Sequence, residues 1–201
     1  MTRLLLATRN GKKLAELRRI VGPLLPDVAV LGLDDVPAYD EAPEDGATFA
    51  DNALLKARDA VRYTGLVAVA DDSGLAVDAL NGMPGVFSAR WAGRHGDDRA
   101  NLELVLAQLA DVPEDQLGAA FTCAAALVLP SGQEYVVTGE LRGRLTRPPR
   151  GEGGFGYDPI FVPEGMHLTS AELAPADKDA ISHRGRAFRA LVPLITAALP
   201  T

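Results

Sequence analysis

Four short stretches of this sequence concentrate side chains that can bind an anion, hold a hard cation or present a flat aromatic face. Thr8-Arg9-Asn10-Gly11-Lys12-Lys13 follows a short apolar run and precedes a leucine-bearing segment. A helix that starts there leaves unpaired backbone N–H groups, and its dipole attracts negative charge. Thr8 and Asn10 add short hydrogen-bonding side chains, and Lys13 adds a point charge. The same residues also fit a simple capped helix with solvated lysines. Asp71-Asp72-Ser73-Gly74 ends a run of apolar residues. Two acids there are costly unless something pairs with them. One suitable partner is Mg²⁺, which takes oxygen ligands and usually only one or two carboxylates. Glu44 could supply a further carboxylate. A turn with an aspartate cap or an ion pair is the alternative.

The other two stretches lie in the second half of the chain. Ser182-His183-Arg184, with Lys178 before it, gathers hydroxyl, imidazole and guanidinium groups at the start of the last helix. Cations disfavour a helix start, so a bound anion would relieve that placement. Gly151 to Phe161, GEGGFGYDPIF, sets Phe155 and Tyr157 among glycines. Its G-x-G-x-x-G spacing lacks the helix that a dinucleotide fingerprint requires after it, because Pro159-Ile160-Phe161-Val162 reads as strand. A loop that offers an aromatic face to a flat ligand fits better. A buried turn anchored by the Tyr157 hydroxyl is the plainer possibility.

The elements that must position these groups follow from periodicity. Arg3 to Ala7 reads as a buried strand. Gly11 to about Val21 reads as a helix, ended by Gly22-Pro23. Asp34 to Gly46 reads as an acidic, mobile loop. Thr48 caps a helix with Asp51 three residues on, and Ala50, Ala53, Leu54, Ala57, Ala60 and Val61 form its apolar stripe. Asn52 and Lys56 lie one turn apart on another face. Leu66 to Ala70 reads as a central strand, interrupted by Asp71–Gly74 and resumed at Leu75–Val77. Asn81 to Gly96 is loop-like, and Asp97 to Ala110 is helical. Phe121–Leu129 and Glu134–Leu145 form a hairpin about Pro130-Ser131-Gly132. Arg186 to Leu199 is the last helix, with Pro193 inside it. The class is α/β with a mixed sheet.

Bulk properties narrow the function. The chain has 201 residues, a net charge of −7 and one cysteine, Cys123. Such an acidic chain lacks the broad basic footprint of a nucleic-acid binder, although a local cationic pocket for a small anion remains possible. Neither a signal peptide nor a membrane-spanning run is visible, and one cysteine permits no internal disulfide; the expected setting is cytoplasmic and reducing. His95, His167 and His183 show no zinc spacing. The P-loop and nucleophile-elbow signatures are absent.

In order along the chain, Thr8-x-Asn10-x-x-Lys13, Glu44, Asp71-Asp72-Ser73-Gly74, Gly154-Phe155-Gly156-Tyr157-Asp158-Pro159 and Ser182-His183-Arg184 resemble the motifs of the inosine triphosphate pyrophosphatase family. Pro84-Gly85-Val86-Phe87-Ser88-Ala89-Arg90 is a further match, with Trp91 where the family more often has tyrosine. The likeness runs from Leu4 to the last helix. It implies a single domain over 1–201, with an elongated mixed β-sheet and flanking helices forming two lobes around a central cleft. It implies a homodimer, Mg²⁺, and hydrolysis of ITP, dITP and XTP to monophosphate and pyrophosphate. In that scheme Thr8, Asn10, Lys13 and the adjacent backbone N–H groups hold the phosphate tail, Lys56 joins the charge network, and Arg9, Gly11, Lys12 and Ser73 are further substrate-binding positions. Phe155, Gly156, Tyr157 and Asp158 form the base platform, and Lys178, His183 and Arg184 donate to the base edge. Glu44, Asp71 and Asp72 gather the metal, and Asp72 is the catalytic residue.

Overall fold

The structure, a computed structural model, describes residues 2–40 and 43–199. Among the described residues six strands form one mixed sheet in the order β2-β1-β3-β4-β5-β6: β1 (Thr2–Leu6), β2 (Val28–Leu31), β3 (Val67–Val77), β4 (Gly118–Val128), β5 (Glu134–Leu145) and β6 (Phe161–Pro163). Strand β1 pairs in parallel with β2 and β3, whereas β5 and β6 run antiparallel. Among the described residues five α-helices accompany the strands: α1 (Gly11–Val21), α2 (Phe49–Thr64), α3 (Asp98–Gln108), α4 (Pro175–Ile181) and α5 (His183–Ala198). Among the described residues no helix is long and apolar enough to cross a membrane.

The chain divides into two compact units, neither of them contiguous. The first comprises the chain up to Asp72, Cys123–Gly139 and everything from Arg184 onward; the second comprises Ser73–Thr122 and Glu140–His183. In the first unit, side-chain alternation along β1 and β3 separates two cores. Leu4, Leu6 and Val69 pack with Leu17, Ile20 and Val21 of α1 and with Phe188, Leu191 and Ile195 of α5. Leu5, Ala68 and Ala70 point the other way, against Ala53, Ala57 and Ala60 of α2. Alanine on both sides of that second interface lets α2 lie close to the strands. The second unit is built around Leu75, Val77, Leu102, Val105, Leu109, Phe121, Tyr157, Ile160 and Phe161.

The expected strand, cap and hairpin positions largely hold. Thr48 caps α2 in a reciprocal box: the Asp51 N–H donates to Thr48 Oγ1 and the Thr48 N–H donates to Asp51 Oδ2, both at 3.1 Å. The Leu129 N–H donates to the Gln133 carbonyl at 2.9 Å, closing the β4–β5 turn. One expectation is corrected. Asp71–Gly74 does not interrupt the central strand; β3 runs unbroken from Val67 to Val77. The acids that suggested a break are paired on both faces, so the strand passes through them. Two elements went unread, the short strand β2 and the single helix α4 that carries Lys178. Part of the loop read as mobile, Glu41 and Ala42, lies outside the described residues.

Candidate active site

The alternation that splits the cores also splits the two aspartates. Asp71 follows Val69 onto the face of α1 and α5, and Asp72 follows Ala70 onto the face of α2. Asp71 is 1% exposed. Its Oδ2 accepts from Arg184 Nε at 3.2 Å and lies 3.2 Å from Lys13 Nζ. Arg184, 2% exposed, also donates through Nη1 to Glu16 Oε2. Burial pushes the Asp71 carboxyl up, but Lys13, Arg184 and Lys56 outweigh it and hold the group well below the usual carboxylate range. The cations that seemed misplaced at the start of the last helix are therefore relieved, for Arg184, by two buried carboxylates.

On the α2 face, Asp72 Oδ2 accepts from Asn52 Nδ2 at 3.0 Å, and Oδ1 lies 3.8 Å from Lys56 Nζ. The same ammonium donates to Glu44 Oε1 at 2.9 Å. Burial raises the Asp72 pKa, and Lys56, Lys13 and Asn52 only partly oppose it. Burial would lower the Lys56 pKa, yet Asp72, Asp71 and Glu44 raise it overall. Two carboxylates thus converge on one positive charge. Their oxygen chemistry suits a hard divalent cation, which needs few protein carboxylates. Among the described residues no cluster of three or more His, Cys, Asp or Glu has metal-binding geometry. Glu44 and Asp72 are the two carboxylates that share the Lys56 ammonium. Asp71 is engaged with Lys13 and Arg184 on the opposite face of the strand.

The loop before α1 is ordered by its own side chains. Asn10 is the N-cap, its Oδ1 accepting from the N–H groups of Lys12 and Lys13 at 3.0 and 3.1 Å. Thr8 Oγ1 accepts from the Asn10 N–H at 3.2 Å. Arg9 donates to the Tyr39 carbonyl at 3.3 Å. Gly11 opens the helix, and Lys12 stays exposed.

In the second unit, Asp158 organises the glycine-rich loop. Its Oδ2 accepts from the Phe155 N–H at 2.8 Å and from Lys178 Nζ at 2.7 Å. Lys178 Nζ lies 5.0 Å from the centre of the Phe155 ring, a cation–π contact. The Gly156 N–H donates to Asp98 Oδ2 at 3.1 Å. Tyr157 belongs to the core, and its hydroxyl donates to the Ser88 carbonyl at 2.8 Å, the anchored-turn alternative weighed for it. Burial pushes its phenol up, helped by Asp98. His183 stacks on Phe121, with ring centres 4.9 Å apart. Ser73 is half-buried in β3.

The geometry thus gathers Lys13, Glu44, Lys56, Asp71, Asp72 and Arg184 in the first unit. Phe155, Gly156, Asp158 and Lys178 gather in the second. Sequence reasoning gave no site role to Glu16, Asn52 or Asp98. For Glu16 a signal existed: an acid three residues after Lys13 within the buried stripe of α1 needs a cationic partner.

Residues 4–194 match the Ham1 family. The chain belongs to that family. It is 64% identical over 198 residues to the dITP/XTP pyrophosphatase of Nocardia farcinica, covering 98% of this chain and 96% of the relative. A crystal structure described as a nucleoside-triphosphatase and dITP/XTP pyrophosphatase, from Mycobacterium abscessus, is 61% identical. It superposes with a TM-score of 0.78 over 96% of this chain and 100% of that one. The Staphylococcus aureus Ham1 protein, 36% identical, reaches 0.86 over 98% of this chain and 99% of its own. This Ham1-family chain is an enzyme, a hydrolase.

Proposed function

We propose that this enzyme hydrolyses deaminated purine nucleoside triphosphates, ITP, dITP and XTP, to the monophosphate and pyrophosphate, with Mg²⁺ held by Glu44 and Asp72. The observation that carries the reading is the convergence of Glu44 and Asp72 on the Lys56 ammonium, in the unit that also holds the Thr8–Lys13 loop. The family-level activity carried in the relatives' names supports it. When bound, a hard divalent ion neutralises phosphate oxygens and polarises the phosphoryl group.

The chain's own residues do the rest. Thr8, Asn10, Lys13 and the neighbouring backbone N–H groups hold the phosphate tail. Asp72 orients the attacking water or takes its proton. Pyrophosphate is a good leaving group, so positioning and charge stabilisation account for most of the acceleration. Phe155 stacks on the purine, while the Lys178–Asp158 pair stiffens the platform. Stacking tolerates every base. Discrimination therefore falls to donors from Lys178 and His183 toward the 6-oxo group, while Arg184 is committed to Asp71 and Glu16. Adenine presents a donor at that position, and such a mismatch costs about 10⁴-fold in favourable cases.

The test is a product assay with Mg²⁺ and, separately, ITP, dITP, XTP, ATP and UTP, in which pyrophosphate and phosphate are measured independently. Pyrophosphate from the three deaminated purines, with ATP and UTP left nearly intact, is the expected result. Phosphate as the first product would mean that another bond is cleaved. Phe155→Ala should raise KM for every purine substrate, and an unchanged KM would remove the ring from the base site.

A further inference from the structure

Asn52 is 1% exposed and makes two hydrogen bonds of opposite sense. Its Oδ1 accepts from the Gly46 N–H at 2.8 Å, and its Nδ2 donates to Asp72 Oδ2 at 3.0 Å. A side-chain amide can do both at once; a carboxylate would set acceptor against acceptor at Asp72, and an alkyl group would satisfy neither partner. The bond takes one oxygen of Asp72 and leaves Oδ1 as the atom nearest Lys56, the ammonium that also holds Glu44. Gly46 lies only two residues beyond Glu44, so the same amide ties down the segment that carries the second carboxylate. The approach is tight: a Cβ on Gly46 would sit 2.6 Å from Asn52 Oδ1 and 2.7 Å from Asp51 Cβ. No other residue type fits there without displacing the amide.

We propose that Asn52 is a positioning residue that sets the orientation and spacing of the Asp72 and Glu44 carboxylates, and through them the affinity for the divalent ion. The proposal rests on the reading of Glu44 and Asp72 as the metal-holding pair. Groups that orient metal ligands are worth roughly 10- to 100-fold in metal affinity or activity. Asn52 acts through its bonds to Asp72 and to the backbone of Gly46.

The experiment titrates Mn²⁺ into the full-length, metal-free protein and follows the free ion by electron paramagnetic resonance. It compares wild type with Asp72→Asn, Asn52→Ala and Gly46→Ala, the last of which keeps the amide but crowds it. Both Asn52→Ala and Gly46→Ala should weaken Mn²⁺ binding by about tenfold or more. Raising Mg²⁺ should restore much of their kcat, with the nucleotide KM at saturating metal within about twofold of wild type. A wild-type Mn²⁺ isotherm in both variants, with only the thermal midpoint lowered, would make Asn52 a structural residue and overturn the proposal. If Asp72→Asn abolishes binding while the two variants keep it, the positioning role fails alone. If wild type binds no Mn²⁺, the metal reading fails and takes this role with it. Should Asn52→Ala not fold, Gly46→Ala decides by the same criteria.

Discussion

One peptide bond separates Asp71 from Asp72, yet strand geometry sends them into opposite surroundings, and their substitutions should differ accordingly. Asp71 holds two cations in a buried network, so Asp71→Asn breaks that network from its centre. Removing one partner of a buried ion pair costs about 3–5 kcal/mol. The expected result is a loss of that order in the metal-free protein at neutral pH, measured by urea unfolding. The pH dependence has a definite sign. The folded-state pKa of Asp71 lies below its unfolded value, near 3.9. Its stabilisation is therefore complete above that value and fades as pH falls through the acid range. The gap between wild type and Asp71→Asn should narrow in acid; a constant gap would mean that Asp71 is not held as an anion by Lys13 and Arg184. Asp72 has the reverse linkage. Its folded pKa is raised, so its ionised form at neutral pH works against folding. Asp72→Asn should remove most turnover while the metal-free melting temperature stays at or above that of wild type. Near-normal turnover would end the catalytic assignment.

At the scale of elements, α2 delivers Asn52 and Lys56 to Asp72, and its two ends make separable contributions. At its start, the Thr48–Asp51 box fixes the first turn, one residue before Asn52. At its end, Gly65 is left-handed, with φ +67°, where a side chain is strained. Thr48→Ala and Gly65→Ala should each cost about 1 kcal/mol of stability. Only Thr48→Ala should also raise the Mg²⁺ concentration needed for half-maximal rate, since Gly65 sits at the far end of the helix. Equal metal requirements in the two variants would sever the first turn from the site. This helix was legible in the sequence because cap, alanine stripe and the Asn52–Lys56 spacing are all local signals. The continuity of β3 was not, because the partners that neutralise Asp71 and Asp72 come from α1, α2 and α5. Helix α4 was also missed: seven residues opening on Pro175 give too few turns for a periodic pattern. At the site, the paired acids and the aromatic among glycines announced themselves by type. Asn52 did not, since a buried amide declares its role only through its partners, here Gly46 and Asp72; Glu16 gave a weaker signal, its place in the buried stripe of α1, but its partner Arg184 is distant in sequence.

For the molecule as a whole, the division into units explains why local pattern could not reveal its organisation. The first unit is assembled from three segments, and its larger core joins Leu4 and Leu6, Cys123, Ala125 and Leu127, and Phe188, Leu191 and Ile195. These last three side chains are fully buried and all lie on α5. The same helix brings Arg184 to Asp71 and Glu16, so the final segment completes both a core and the charge network. Phe188→Ala should cost about 3–5 kcal/mol through lost burial and the cavity left behind. Truncation after His183 removes the whole apolar face together with Arg184, which leaves Leu4, Leu6, Leu17 and Val69 without the α5 half of their core. The truncated chain should show no cooperative transition for the first unit in urea, and protease should cut early within α1. By contrast, Ser131→Ala at the exposed β4–β5 turn should stay within about 0.5 kcal/mol of wild type. A truncated chain that melts at the wild-type temperature with α1 protected would show that the first unit does not depend on its last segment, contrary to the shared core.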